Sequence, residues 1–228
     1  MRAVAFDLGD TLVEYEGLPL NWEAHYDSAI LELAKFIEHP VADSRMRAAK
    51  DALRRYNTRL NPRAHEVGFD SILRELLVVV GAEFKGEPDY AAAAFFSVFR
   101  QRLRCVPDTC DRLRALRRSG MRIGVLTDVP YGMPRRLVLE DMKASGVLEL
   151  IDELVTSVDA GVRKPNPGGL ELLAARLQVQ PSEMIFVGNE KKDVEVAIAF
   201  GCEAVLLDRN RTAPKWNQHR TVNTLAEL

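Results

Sequence analysis

Phe6-Asp7-Leu8-Gly9-Asp10-Thr11-Leu12 begins at the end of a short apolar run, Ala3–Phe6, at the start of the chain. An apolar stretch that stops abruptly at acids and glycine reads as a buried strand feeding a loop. The Asp7 carboxylate then stands at the C-terminal tip of a first strand, where open α/β sheets hold their ligands. Whether such a sheet exists depends on the rest of the chain.

After Val106-Pro107 an alternating pattern begins. Asp108–Ser119 is predicted as a helix closed by Gly120, and Met121–Leu126 as a strand ending at Thr127-Asp128. Pro134–Ser145 is a helix closed by Gly146, followed by a strand at Leu154–Ser157 and a helix at Pro167–Leu177. Met184–Val187 is a strand ending at Gly188, Val194–Phe200 a helix closed by Gly201, and Ala204–Leu207 the last clear strand. Strands alternating with helices imply right-handed crossovers and a parallel sheet with helices on both faces.

From Trp22 to about Arg104 the character differs. Ile30, Leu33, Ala34 and Ile37 recur at helical spacing, as do Met46, Ala49, Leu53 and Tyr56. Two further sets run through Ile72, Leu73, Leu76, Leu77 and through Ala94, Phe95, Val98, Phe99, with breaks at Pro40, Asn61-Pro62 and Gly86-Glu87-Pro88. The expectation is an all-helical insert of about four helices over 16–104, set into a core made of 1–15 and 105–228. The insert's aromatic residues Trp22, Tyr26, Phe36, Phe95 and Phe96 are expected to pack its core.

A chain of 228 residues can bury such a core. With 31 basic against 33 acidic residues, nothing in the charge points to nucleic acid or an anionic membrane as a partner. Cys105, Cys110 and Cys202 are too few and too scattered for a disulfide framework or a zinc site, so a reduced, cytoplasmic setting is expected. Asp7 and Asp10 interrupt the N-terminal apolar stretch, which therefore cannot serve as a signal-peptide core. The run Ile72–Val80 contains Arg74 and Glu75 and falls short of the roughly 20 residues of a membrane helix. A soluble protein, monomeric by default, is expected.

The predicted strand tips carry Asp7, Gly9 and Asp10, then Thr127 and Asp128, then Asn189, Glu190 and Asp193, with Lys164 in the stiff loop Val162–Pro167. Clustered carboxylates repel unless a hard cation sits among them, and Mg²⁺ suits water-rich sites with few carboxylates. A lysine and a threonine hydroxyl can bind phosphate oxygens, and an aspartate can attack phosphorus. Each piece alone has a plainer reading as a helix cap, a rigid turn or an acidic helix start. Four in order, each at a strand end, make a constellation.

That order carries a resemblance. FDLGDTL, VLTD at Val125–Asp128, GVRKPNPGGLELLAARL at Gly161–Leu177 and IFVGNEKKDVEVAIAFG at Ile185–Gly201 together resemble the haloacid-dehalogenase-like hydrolases. More narrowly, the chain is similar to the subfamily whose helical cap is inserted between the first and second motifs. The resemblance implies a Rossmann-like core, a mobile helical lid and, in most members, Mg²⁺-dependent phosphatase chemistry on small phosphorylated substrates. It makes Asp7 the nucleophile, with Thr127, Asp128 and Lys164 around the transferring phosphoryl group. The metal would be held by Asp7, the Gly9 carbonyl and the motif from Asn189 to Asp193.

Two departures from the family pattern bear on activity. The family's second aspartate, which protonates the leaving alcohol, is replaced by Gly9, and general acid–base help is worth roughly 10²–10⁴-fold in rate. Asp10, Glu14, His25 or His65 are the candidates to replace it. Asn189 stands where an aspartate is usual, removing one charge that Glu190 could restore. Three readings follow: a phosphatase favouring good leaving groups, a dehalogenase- or phosphonatase-type hydrolase, or a catalytically weak ligand- or protein-binding module. Arg59, Arg63, His65 and Arg100 of the insert are expected to be solvated surface residues.

Overall fold

Ala3–Phe6 is buried along its whole length and forms β1. The computed structural model describes residues 1–18, 22–37, 41–100 and 102–228; the predicted break at Pro40 lies outside them. After β1 the chain makes a short strand, β2 (Val13–Tyr15), and then α1 (Tyr26–Ala34), α2 (Asp43–Tyr56), α3 (Phe69–Val80) and α4 (Pro88–Ser97). It returns through β3 (Leu103–Cys105), antiparallel to β2. Alternation follows, with α5 (Thr109–Arg118), β4 (Arg122–Thr127), α6 (Arg135–Ala144), β5 (Glu153–Thr156), α7 (Ser157–Ala160) and α8 (Gly168–Leu177). The chain closes with β6 (Met184–Gly188), α9 (Lys191–Phe200), β7 (Glu203–Leu207) and β8 (Arg220–Val222).

Six strands form one sheet in the order β5-β4-β1-β6-β7-β8, with every pairing parallel. The pleat of β1 sends alternate side chains to opposite faces. Val4 and Phe6 pack with Leu113 and Val138 of α5 and α6, while Ala3 and Ala5 pack with Leu170 and Leu173 of α8 and Val194 of α9. The predicted α/β class, Rossmann-like with an inserted helical cap, is the observed one.

Some elements depart from the sequence reading. The β2–β3 ribbon and β8 were not predicted, because three-residue strands are too short to show a period. Ser157, expected in a strand, begins α7. Helix α9 starts at Lys191 rather than Val194, since its charged first turn hides the apolar repeat. No helix among the described residues is long and apolar enough to cross a membrane.

Tyr26, Ile72, Phe95 and Phe96 of the insert belong to the same apolar cluster as Val4 and Phe6 of the sheet. Tyr131, after β4, joins the two parts. Its ring lies 5.9 Å from Phe95, and its hydroxyl shares a 2.6 Å hydrogen bond with that of Tyr26. Next to it Gly132, at φ +60°, allows a very close approach: a Cβ there would stand 2.1 Å from the Val67 carbonyl oxygen of the insert. Only glycine fits this conformation against that backbone. Gly132→Ala should therefore cost about 2 kcal/mol or more in urea unfolding and expose the 57–68 segment to limited proteolysis. Unchanged stability and an unchanged cleavage pattern would contradict this packing.

Candidate active site

Register brings the strand tips together. Phe6 stands opposite Val125 on β4 and Val187 on β6, so the chain beyond β1 emerges between Thr127-Asp128 and Asn189. Asp7, Gly9, Thr127, Asp128 and Asn189 line one cavity beneath the helical insert.

The side chains of Lys164 and Asp193 are each 1% exposed, and that of Asp7 is 11% exposed. Lys164 Nζ donates to Asp7 Oδ1 at 2.5 Å and to Asp193 Oδ1 at 2.6 Å. Lysine is brought here by the α7–α8 loop: its backbone N–H donates to Asp128 Oδ1 at 3.1 Å, and Arg163 donates to the Val129 carbonyl at 2.8 Å. Asp193 is fixed by its place in the first turn of α9, where Oδ2 accepts from the amides of Asn189 (3.1 Å) and Glu190 (2.8 Å). Gly188 is required for this, because a Cβ there would stand 2.3 Å from that of Asp193. Helix start and charge site are thus the same feature.

The electrostatics follow from this arrangement. Burial pushes Asp7 up to about 6 with Lys164 pulling against it, while its carboxylate partners hold the buried Lys164 ammonium firmly protonated. Burial also opposes ionisation of Asp128, but Lys164, Lys192 and Arg163 outweigh it and keep the carboxyl below its usual range. Glu190 is likewise partly buried, yet Lys192 and Arg59 hold it down at about 2. Asp10 is raised, by burial first and by Glu14 and Glu190 beside it.

The donor set fits a hard divalent cation in part. Asp7 Oδ1 faces Lys164, whereas no hydrogen bond reaches Asp7 Oδ2 or the Gly9 carbonyl among the described residues. Among the described residues Asn189 Oδ1 accepts one hydrogen bond, from Thr11 Oγ1 at 3.2 Å. Those three oxygen donors line or adjoin the cavity and resemble the sparse, water-completed set that Mg²⁺ takes. The oxygens of Asp193 accept from Lys164 and from two amides, which makes it the counter-charge of the buried lysine. Glu190 faces Arg59 at 2.5 Å and Lys192 at 3.0 Å.

Of the four candidates to replace the missing acid, Asp10 lines the cavity. Its left-handed backbone, φ 56°, brings it to the cavity. Glu14 instead pairs with Arg104 at 2.7 Å, His25 packs edge-on against Phe99, and His65 makes a backbone bridge to Val162. The insert's cations are not simply solvated. Arg59 and Arg100 line the cavity, and Arg100 pairs with the buried Asp141 at 2.6 Å. Trp22 and Phe96 pack as expected but also form a cavity wall, with Trp22 stacked on Phe99 at 4.2 Å.

Sequence reasoning missed Glu66. Its carboxylate, 1% exposed, accepts from Arg63 (2.8 Å), Ser157 Oγ (2.6 Å), the Val67 amide (2.8 Å) and Arg163. It ties the insert to the residue preceding Lys164. Nothing in its neighbourhood along the chain signals burial.

Breaking a buried ion pair on one side strands the remaining charges. Lys164→Met should cost about 3–5 kcal/mol in chelator-treated protein at neutral pH, and adding Asp7→Asn should recover part of that loss. Equal stability of single and double variants by denaturant unfolding would refute the electrostatic coupling.

The family model of haloacid dehalogenase-like hydrolases matches residues 1–201. The chain is 26% identical to the ribulose-1,5-bisphosphate 5-phosphatase of Halopiger xanaduensis, over 99% of this chain and 97% of that one. It is 28% identical to the glyceraldehyde 3-phosphate phosphatase of Methanopyrus kandleri, over 92% and 85% of the two chains. In fold it matches a HAD phosphatase from Thermococcus onnurineus with a TM-score of 0.67 at 23% identity, covering 100% of this chain and 95% of that one. The chain belongs to the haloacid dehalogenase-like hydrolases.

Proposed function

We propose that this hydrolase is a Mg²⁺-dependent phosphatase of small phosphorylated metabolites that works through an aspartyl-phosphate on Asp7. The observation that carries the reading is the Asp7 carboxylate itself, gripped at Oδ1 by a buried lysine at the cavity while, among the described residues, no hydrogen bond reaches Oδ2. Phosphatase relatives over nearly the whole chain support it.

In this reading a carboxylate oxygen of Asp7 forms a bond to phosphorus as the leaving-group oxygen departs, and water then attacks the phosphorus of the acyl phosphate, releasing phosphate and restoring the Asp7 carboxylate. Lys164 favours the ionised nucleophile and, with Asp193 behind it, keeps the charge balanced as phosphoryl transfer proceeds. The Thr127 hydroxyl donates to a phosphoryl oxygen, and Asp128 holds the Lys164 backbone in place. Mg²⁺ at Asp7, the Gly9 carbonyl and Asn189 would neutralise charge on the transferring group. Asp10, its carboxyl raised by burial, supplies the proton that position 9 cannot.

The substrate enters between the core and residues 16–104, which act as the cap. The reading carries a cytoplasmic setting and a monomer, with no nucleic-acid or membrane partner, in line with the net charge of −2.

Two measurements test this. With Mg²⁺, the protein should release phosphate from p-nitrophenyl phosphate and acetyl phosphate, and Asp7→Asn or chelation should abolish release. A folded protein that turns over neither compound would point to the binding-module reading. For the proton donor, a Cβ at Gly9 meets no atom within 4 Å, so Gly9→Asp should fold. It should raise turnover of alkyl phosphates about tenfold more than of acetyl phosphate, and Asp10→Asn should shift the ratio the opposite way. Equal effects on both substrate classes would remove Asp10 from the proton-transfer role.

A further inference from the structure

Cys105 and Cys110 look unrelated along the chain but meet in space. Cys105 ends β3, and Cys110 is the second residue of α5. Between them Val106–Thr109 makes a tight reversal: the Thr109 amide donates to the Val106 carbonyl at 3.2 Å, and Asp108 takes a left-handed φ of 65°. The reversal folds Cys110 back over Cys105, leaving the two sulfur atoms 3.3 Å apart. Both residues are partly exposed, whereas Cys202 is 4% exposed. Closing a bond of about 2.05 Å between these sulfurs asks for movement on the order of 1 Å.

The pair sits at a mechanically sensitive place. β3 is the return path of the helical insert, and its partner β2 starts directly after Leu12, the last residue of the loop that carries Asp7 and Asp10. The Val106 amide donates to the Leu12 carbonyl at 3.0 Å, joining the turn between the cysteines to that loop. A bond between Cys105 and Cys110 would tie the last residue of β3 to the first turn of a core helix.

We propose that Cys105 and Cys110 are a redox pair whose reversible disulfide staples the return strand of the insert to the core and restrains its movement over the active site. The oxidant is a peroxide or a low-molecular-weight disulfide. With peroxide, one thiolate attacks an oxygen and becomes a sulfenic acid as the O–O bond breaks and water leaves. The second thiol then attacks that sulfur, and its proton departs with the hydroxyl as a second water. Two thiols and one peroxide thus give one disulfide and two waters. Burial pushes the Cys105 thiol up to about 11, with Cys110 beside it adding to the effect.

The full chain is treated with hydrogen peroxide or with glutathione disulfide, then alkylated, unfolded and digested with trypsin. Cleavage after Arg104 and Arg112 releases both cysteines on one peptide, with Cys202 on another. The expected result is a 105–112 peptide lighter by two hydrogens and closed to alkylation, while Cys202 is alkylated in full. Cys105→Ser and Cys110→Ser should give only open peptides or mixed glutathione adducts. Turnover of p-nitrophenyl phosphate should fall on the order of tenfold on oxidation of the parent protein, recover with dithiothreitol, and stay constant in the two serine variants. A parent peptide that remains open or carries glutathione overturns the pairing. A closed disulfide with unchanged turnover overturns its coupling to the cap.

Discussion

A buried ammonium held between two carboxylates is the constraint around which this protein is organised. Lys164 bonds Asp7 from the tip of β1 and Asp193 from the first turn of α9, two elements far apart in sequence. Buried charges are tolerated only when paired and hydrogen-bonded. Each member therefore needs its own support. Asp193 has two amides at the helix start, Gly188 yields the space for it, and Asp128 anchors the lysine backbone. The outcome is a nucleophile candidate that lines the cavity with one oxygen held by the lysine.

The same loop joins this centre to the insert. Arg163, beside Lys164, shares the buried Glu66 carboxylate with Arg63 and Ser157. One residue of the network lies next to the charge site and others belong to the insert. Tyr131 and Gly132 add an apolar contact and a backbone contact beside this network, with Gly132 meeting Val67, the neighbour of Glu66. Core and insert therefore meet through specific polar and steric fits as well as a shared apolar cluster, which is how a lid can register accurately over a reacting group.

The parts that were legible in the sequence share one property: an apolar run ending abruptly in polar residues. Ala3–Phe6 before Asp7, Val125-Leu126 before Thr127-Asp128, and Phe186-Val187 before Gly188-Asn189 all mark strand tips in this way. Their spatial convergence followed from the parallel sheet. What the sequence hid depends on three-dimensional contact. The three-residue strands of β2, β3 and β8 have no measurable period. Glu66 is buried by partners distant in sequence, and the Pro107-Asp108 turn signal does not by itself show that the two flanking cysteines meet. The orientation of Asp193 was also hidden, since an acid in a helix's first turn can serve a metal, a cap or a lysine. Here the last two claim both oxygens.

Gly9 sharpens the account. It leaves the carbonyl that a cation could use and removes a side chain that a proton transfer would use, while Asp10 stands next to it with a carboxyl raised by burial. The central claim is that Asp7 becomes phosphorylated. Acid quenching of the enzyme mixed with acetyl phosphate and Mg²⁺, followed by peptide mapping, tests this directly. The expected result is a hydroxylamine-labile phosphoryl group on Asp7 that forms and decays within the turnover time. Phosphate release with no phosphoryl group ever found on Asp7 would contradict it.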